Sequence, residues 1–191
     1  MKKRFGMMVC ALAIFALVGC SNTGSNDDNS GEKAPAETSV VEIMDAIKAQ
    51  IVQDVKDAGN DDGRTDEEIL GGYVETNVVD ATTDDPFGQV FFERTELDQD
   101  LLAEGTMLQA MFNTNADEII VLKAKDQKDA EALKASLQKE LDAQIQTWEQ
   151  YLPDQFEKVK NNVLKTTGNY VLYVTYDNVD AVEKIFDEQV K

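Results

Sequence analysis

Residues Asp126 to Leu152 read DQKDAEALKASLQKELDAQIQTWEQYL, and the fold turns on how this stretch is read. Its apolar residues fall at Ala130, Leu133, Leu137, Leu141, Ile145, Trp148 and Leu152. Steps of three and four place them in one stripe along a helix. Asp126 stands at the N-cap position, where a carboxylate takes up an orphan amide proton. Pro153 closes the run, because the residue before a proline is pushed out of helical geometry. At 1.5 Å per residue such a helix is roughly 40 Å long, enough to cross a small domain.

Apolar strands flank the helix. Before it, Thr106 to Phe112 alternates, Asn113-Thr114-Asn115-Ala116 turns, and Glu118 to Ala124 is rich in β-formers, which together predict a hairpin. After it comes a short helical turn from Pro153. Val163-Leu164 and Tyr170 to Tyr176 then flank Thr166-Thr167-Gly168-Asn169, a second hairpin signal. Val179 to Val190 is amphipathic, with Val182, Ile185 and Phe186 on one face.

Further upstream, Ser39-Val40-Val41-Glu42 is a capping box. The helix it opens sets Val40, Ile43, Ile47, Ile51 and Val55 on one side and stops around Asp57-Ala58-Gly59. Asn60 to Glu104 is the ill-defined middle. Thr82-Thr83-Asp84-Asp85-Pro86 reads as a turn, and Val90-Phe91-Phe92 as a short strand or a plugged loop. The order is helix, middle, strand-strand-helix-strand-strand-helix. That order predicts an α+β domain, an antiparallel sheet of about four strands with the long helix packed on it.

The strands are apolar on both sides. Leu108, Ala110 and Phe112 oppose Met107 and Met111; Ile120, Leu122 and Ala124 oppose Ile119 and Val121; Leu172 and Val174 oppose Val171 and Tyr173. One helix covers one face, so the second face needs its own cover. The intramolecular candidates are the helix from Val40 to Val55, the last helix and the middle segment. The other candidate is a partner protein or apolar ligand, with adaptable Met107 and Met111 lining the surface.

Composition narrows the chemistry. The chain of 191 residues has 37 acidic and 18 basic side chains, two cysteines and no histidine. Histidine acid-base catalysis and cysteine-histidine zinc sites are therefore excluded. Lys2, Lys3 and Arg4 precede the apolar run Met7 to Val18, a signal-peptide pattern too short to span a bilayer comfortably. Without those three residues the balance is 15 basic against 37 acidic side chains, which argues against nucleic-acid binding. Ser21 to Glu37 is polar and aperiodic, a tether reaching ~20–25 Å as a random coil. The expected organisation is residues 1–19 as signal peptide, 20–37 as anchor and tether, and 38–191 as one α+β domain.

Leu17-Val18-Gly19-Cys20 resembles the lipobox of bacterial lipoprotein precursors. The resemblance implies cleavage before Cys20 and a diacylglyceryl group on its thiol, with palmitate as the expected acyl chain. With Cys10 in the discarded segment, no disulfide is then expected in the domain. The whole chain resembles an uncharacterised family of bacterial lipoproteins, domain of unknown function 4358. The resemblance rests on Ala116-Asp117-Glu118-Ile119-Ile120-Val121, Lys123-Ala124-Lys125-Asp126, Tyr151-Leu152-Pro153 and Gly168-Asn169-Tyr170-Val171-Leu172, together with the lipobox. It covers roughly residues 40 to 190, with the middle from Asn60 to Glu104 matching nothing. It implies a Gram-positive surface lipoprotein on the extracytoplasmic face of the cell membrane, and brings no activity or catalytic residues.

Three stretches invite a chemical reading. Ala58 to Ile69 nearly fits a calcium loop: with Gly63 at the sharp turn, Asn60, Asp62 and Asp66 take ligand positions three, five and nine. Ala58 and Ile69 stand where the first ligand and the bidentate glutamate belong, so calcium binding tighter than about millimolar is not expected. Asp84 and Asp85 form a carboxylate pair of the glycosidase kind, or a solvated turn. Trp148, Tyr151 and Phe156 offer an aromatic ledge for a sugar; Trp148 shares the stripe of Leu141 and Ile145, which favours core packing. No cofactor is expected. The expected function is a lipid-anchored, non-enzymatic domain that binds a protein or small ligand outside the cell. The alternatives are an extracytoplasmic hydrolase using carboxylates or a divalent cation, and a scaffold. Cys20→Ser should abolish acyl labelling and leave the precursor uncleaved or released; normal labelling of that variant would refute the anchor.

Overall fold

The computed structural model describes residues 37–82 and 86–191. Its first helix, α1 (Val40–Asp57), opens with the expected reciprocal cap: Ser39 accepts from the Glu42 amide while the Glu42 carboxylate accepts from the Ser39 amide. It buries Val40, Ile43, Met44, Ile47, Ile51 and Val52. Ala58 caps its end and Gly59 follows at φ 67°, a left-handed position that glycine adopts without strain.

The middle segment is structured. Thr65 starts α2 (Asp66–Leu70) with a second capping box, paired with Glu68. β1 (Tyr73–Asn77) follows, then α3 (Pro86–Thr95). Val90-Phe91-Phe92, expected as a strand or loop, are thus helical. Phe91 is buried and turns edge-on to Phe92, so packing against the neighbouring layer decides the conformation of these β-prone residues.

β2 (Leu102–Ala110) and β3 (Glu118–Ala124) form the first hairpin. Met111 and Phe112 lie beyond the strand, in the turn, and are exposed. The long helix α4 (Ala130–Glu149) is shorter than the sequence suggests. Residues Gln127–Asp129 form a 3₁₀ turn, and Asp126 is extended with no side-chain cap bond. At the other end Gln150 caps the helix, and Pro153 opens α5 (Pro153–Lys160) rather than closing α4. Proline suits a first helical turn, where its missing amide leaves no bond unmade. β4 (Val163–Thr167) and β5 (Tyr170–Thr175) make the second hairpin around Gly168 at φ 60°, and α6 (Val179–Gln189) ends the chain.

The strands form one antiparallel sheet in the order β1-β2-β3-β5-β4. It has five strands; the unforeseen one is β1, an edge strand of five residues without a clear apolar alternation. β3 sits at the centre and is buried along its whole length. Met107, Ile120, Leu122, Ala124, Val171 and Tyr173 meet α3, α4 and α5 on one face, around Phe91, Leu133, Leu137, Leu141, Trp148 and Val159. Leu108, Ile119, Val121, Leu172 and Val174 meet α1 and α6 on the other, around Ile43, Met44, Ile47, Ile51, Val182 and Phe186. The second face is therefore covered from within the chain, by α1 and α6. Neither expected methionine lines this second face: Met107 is buried in the core of the first face and Met111 lies beyond the end of β2. Among the described residues no helix is long and apolar enough to cross a membrane.

This layering separates two substitutions. Val121→Glu places a charge between the sheet and α1 and should cost at least about 3 kcal/mol, collapsing the thermal transition. Met111→Glu in the exposed turn should leave stability within about 0.5 kcal/mol of the parent. Equal transitions for the two variants would refute the three-layer arrangement.

Candidate functional site

At the end of the sheet where β2 turns into β3, the strands outrun their helical cover and leave a cleft of about 390 Å³. α3 supplies Pro86, Phe87, Val90 and Arg94; the turn supplies Met111 and Phe112; α4 supplies Gln144 and Trp148; Glu118 opens β3 beneath them. Six large apolar side chains are exposed among the described residues, and four of them, Phe87, Val90, Met111 and Phe112, line this cleft. Phe112 is 65% exposed. A fifth, Tyr151, lies against Trp148 with ring centroids 5.7 Å apart. Scattered exposed apolar residues need no explanation, but a concentration around one concavity does.

The turn carrying Met111 and Phe112 is pinned from α5, from β1 and from the link that precedes β1. Asp117 is buried and its Oδ1 lies 2.6 Å from Lys158 Nζ of α5. Asp117 Oδ2 accepts from the Tyr73 hydroxyl of β1 at 2.7 Å and from Asn115 Nδ2 at 2.9 Å. The Met111 amide donates to the Gly72 carbonyl at 2.9 Å. Lys158 and Asp117 are only 7% and 5% exposed, so the pair and its hydrogen bonds form a rigid support rather than a solvated surface bridge.

Charge lies under the apolar rim. Glu118 is 2% exposed and Glu140, on α4, is 0% exposed. Arg94 Nη2 donates to Glu140 Oε1 at 2.5 Å. Gln144 Nε2 donates to Glu118 Oε2 at 3.0 Å and to Glu140 Oε1 at 2.9 Å, and Trp148 Nε1 donates to Gln144 Oε1 at 2.8 Å. Glu118 Oε1 and Glu140 Oε2 have no donor among the described residues. Burial raises the pKa of Glu118 well above the ordinary carboxyl value, the charge of Glu140 raises it further, and Arg94 opposes the shift in part. Burial raises Glu140 as well, against the pull of Arg94. Gln144 Nε2 reaches both carboxyls, and with each raised by burial, ionising the two together is disfavoured. Tyr173, behind them on β5, is also pushed up by burial and then by the Glu118 charge.

The calcium-loop candidates fall elsewhere. The Asn60 amide donates to the Val55 carbonyl in the last turn of α1, Asp62 sits at φ 48°, and Asp66 opens α2 with its carboxylate 2.5 Å from Lys56 Nζ. Arg64 donates to the carbonyls of Asn60 and Asp61 at 2.7 and 3.1 Å. No three carboxylates converge in metal-binding fashion among the described residues. Cys20, Asp84 and Asp85 lie outside the described residues. Trp148 packs in the core, as its stripe predicts, with an edge on the cleft; Phe156 packs partly buried beside Lys160 and does not line it.

Glu118, Glu140, Gln144 and Arg94 were not among the sequence candidates, although two signals marked them. Glu118 occupies the alternation that continues as Ile120, Leu122 and Ala124, a charge on a buried face. Glu140 and Gln144 stand three and seven residues after Leu137, inside the apolar stripe of α4. Arg94 gave no signal, because it depends on α3 being a helix.

Residues 87–176 match the model of a family described as domain of unknown function (DUF4358). That match is narrower than the resemblance from residue 40 to 190. It takes in residues 87–104 of the middle, which were expected to match nothing, and leaves out α1 and α6. Every cleft residue except Pro86 lies within it. No curated protein and no solved structure matches the chain.

The acid pair ties stability to pH. Burial favours the neutral carboxyls, so above the ordinary value of 4.5 the folded protein holds more protons here than the unfolded chain. The stability this pair contributes is fully present below that value and is lost as pH rises through the raised folded values. Glu118→Gln keeps the shape and removes one titrating proton. Its melting temperature should therefore fall less than the parent's between about pH 5 and pH 9. Parallel profiles would refute a raised acid pair.

Proposed function

We propose that this protein is a lipid-anchored, non-enzymatic binding domain of the bacterial cell surface. In this reading Cys20 carries the lipid, the segment to Glu37 is the tether, and the cleft between α3, the β2–β3 turn and α4 takes a small ligand. One observation carries the binding role: four exposed apolar side chains surround a single concavity with a buried polar floor, two of them on a turn held by the Asp117–Lys158 pair. The cleft's volume falls in the small-molecule range. A tether is compatible with access to it. The chain reaches the domain where Glu37 Oε2 lies 3.0 Å from Lys123, at the opposite end of β3 from Glu118.

The acid pair is also what a carboxylate hydrolase would need, but its geometry favours binding. Two-carboxylate hydrolysis places its acids about 5 Å or more apart, with the scissile bond between them. Here one Gln144 amide donates to both carboxyls, Glu118 is almost fully buried, and Glu140 has no exposed surface to offer a substrate.

The neutral solvatochromic dye Nile red, added to the full-length protein, tests the cleft. Its emission should shift to the blue and strengthen with the parent. The double variant Met111→Asp with Phe112→Asp should weaken binding at least about fivefold, while its unfolding transition stays in place because both side chains are exposed. An absent response in the parent, or an equal response in the variant, would refute the cleft as the binding site.

A further inference from the structure

We infer that the cleft takes an uncharged ligand, a short apolar body with a neutral polar head, and turns away ions of either sign. The inference rests on the binding role proposed above and adds the chemical class of the ligand.

The net charge of the chain points elsewhere. At a formal −19 the protein attracts cations over its surface, and a cationic ligand is the plain expectation. The lining of the cleft does not share that charge. Three ionisable side chains line it, Arg94, Asp117 and Glu118, and each is engaged within the fold. Arg94 Nη2 lies 2.5 Å from Glu140 Oε1. Asp117 is buried, with Lys158 Nζ 2.6 Å from its Oδ1. Glu118 is buried under the Gln144 amide, and that burial holds it toward the neutral acid. Two atoms of these three side chains have no partner among the described residues, and they are of opposite kind: Glu118 Oε1 accepts and Arg94 Nε donates. Both are sealed from solvent, so they select neither sign. The carboxamides of Gln109, Asn113, Asn115 and Gln144 add only neutral polar groups to the lining. An ammonium therefore meets no carboxylate without its own counter-ion, and a carboxylate meets no guanidinium without one. Either ion would shed water beneath Val90, Met111 and Phe112 and gain no opposite charge in return. An alcohol or amide head loses far less on leaving water and can exchange hydrogen bonds with the lining carboxamides. The apolar body of the ligand is stabilised by burial against the rim. The volume near 390 Å³ keeps that body short.

Trp148 is the chain's only tryptophan and lines the cleft, so its emission, together with displacement of Nile red, reports occupancy. Full-length protein is titrated with two pairs of similar shape, n-hexanol against n-hexylamine and hexanamide against n-hexanoate. At neutral pH the amine and the acid are ionised. Salt at about 0.15 M limits the reach of distant surface charge to about 8 Å. Each neutral member should bind at least about tenfold more tightly than its ionised counterpart. Val90→Glu sets a carboxylate without a counter-ion on the rim. Val90 is exposed, so the variant should keep its unfolding transition, and its gap between hexanol and hexylamine should narrow at least about threefold. An ion that binds as tightly as its neutral counterpart overturns the inference, while binding by any of the four keeps the cleft as a binding site. A gap unmoved in folded Val90→Glu places the ligand away from this rim and also overturns it. If none of the four moves the Trp148 emission or displaces Nile red, the inference and the cleft reading fail together.

Discussion

Everything in this molecule follows from a central strand with two apolar sides. Each residue of β3 is buried, and its neighbours β2 and β5 carry apolar side chains toward both faces. Such a sheet cannot leave one face to water, so the chain must supply two helical layers. α3, α4 and α5 make one; α1 and α6 make the other. The second layer brings together the first and last helices. Thr38 donates to the Gln189 carbonyl at 2.6 Å, and Tyr170 donates to the Thr38 carbonyl at 2.6 Å. Completing the core therefore requires contacts of the longest sequence separation in the domain, a costly closure that hydrophobic burial must offset.

The same sheet explains the location of the cleft. Its helical cover is continuous in the middle and thins at the β2–β3 turn, where polar residues enter the apolar layer. Glu118 and Glu140 break the local pattern of their strand and helix, and they break it at the same point in space. Natural sequences depart from consistent patterning mainly where function or strain requires it. Burying two acids beside one arginine costs free energy that an apolar pair of similar volume would not.

Much of the architecture was legible because it is written in local periods. The capping box at Ser39, the stripe from Ala130 to Trp148, both hairpins and the amphipathic last helix depend on neighbours a few residues apart. The two-sided apolar pattern of the strands also announced a second layer. The middle was not legible, because β1 is an edge strand with a weak pattern and α3 holds β-prone residues in a helix. Likewise Asp126 and Pro153 carry genuine end signals that mark a 3₁₀ turn and the start of α5 instead of the ends of α4.

From the sequence by itself come the α+β class, the two hairpins, the need for cover on both faces, and the absence of histidine and of a thiol beyond Cys10 and Cys20. These follow from period and composition, which are local or global properties of the string. Only the tertiary structure decided that α1 and α6 share a face. Only it decided that Arg94, Glu118, Glu140 and Gln144, drawn from α3, β3 and α4, meet under Phe87, Val90, Met111 and Phe112. The physical reason is that a site assembled from three elements exists through their packing angles and register. No spacing along the chain encodes the meeting of side chains 46 residues apart.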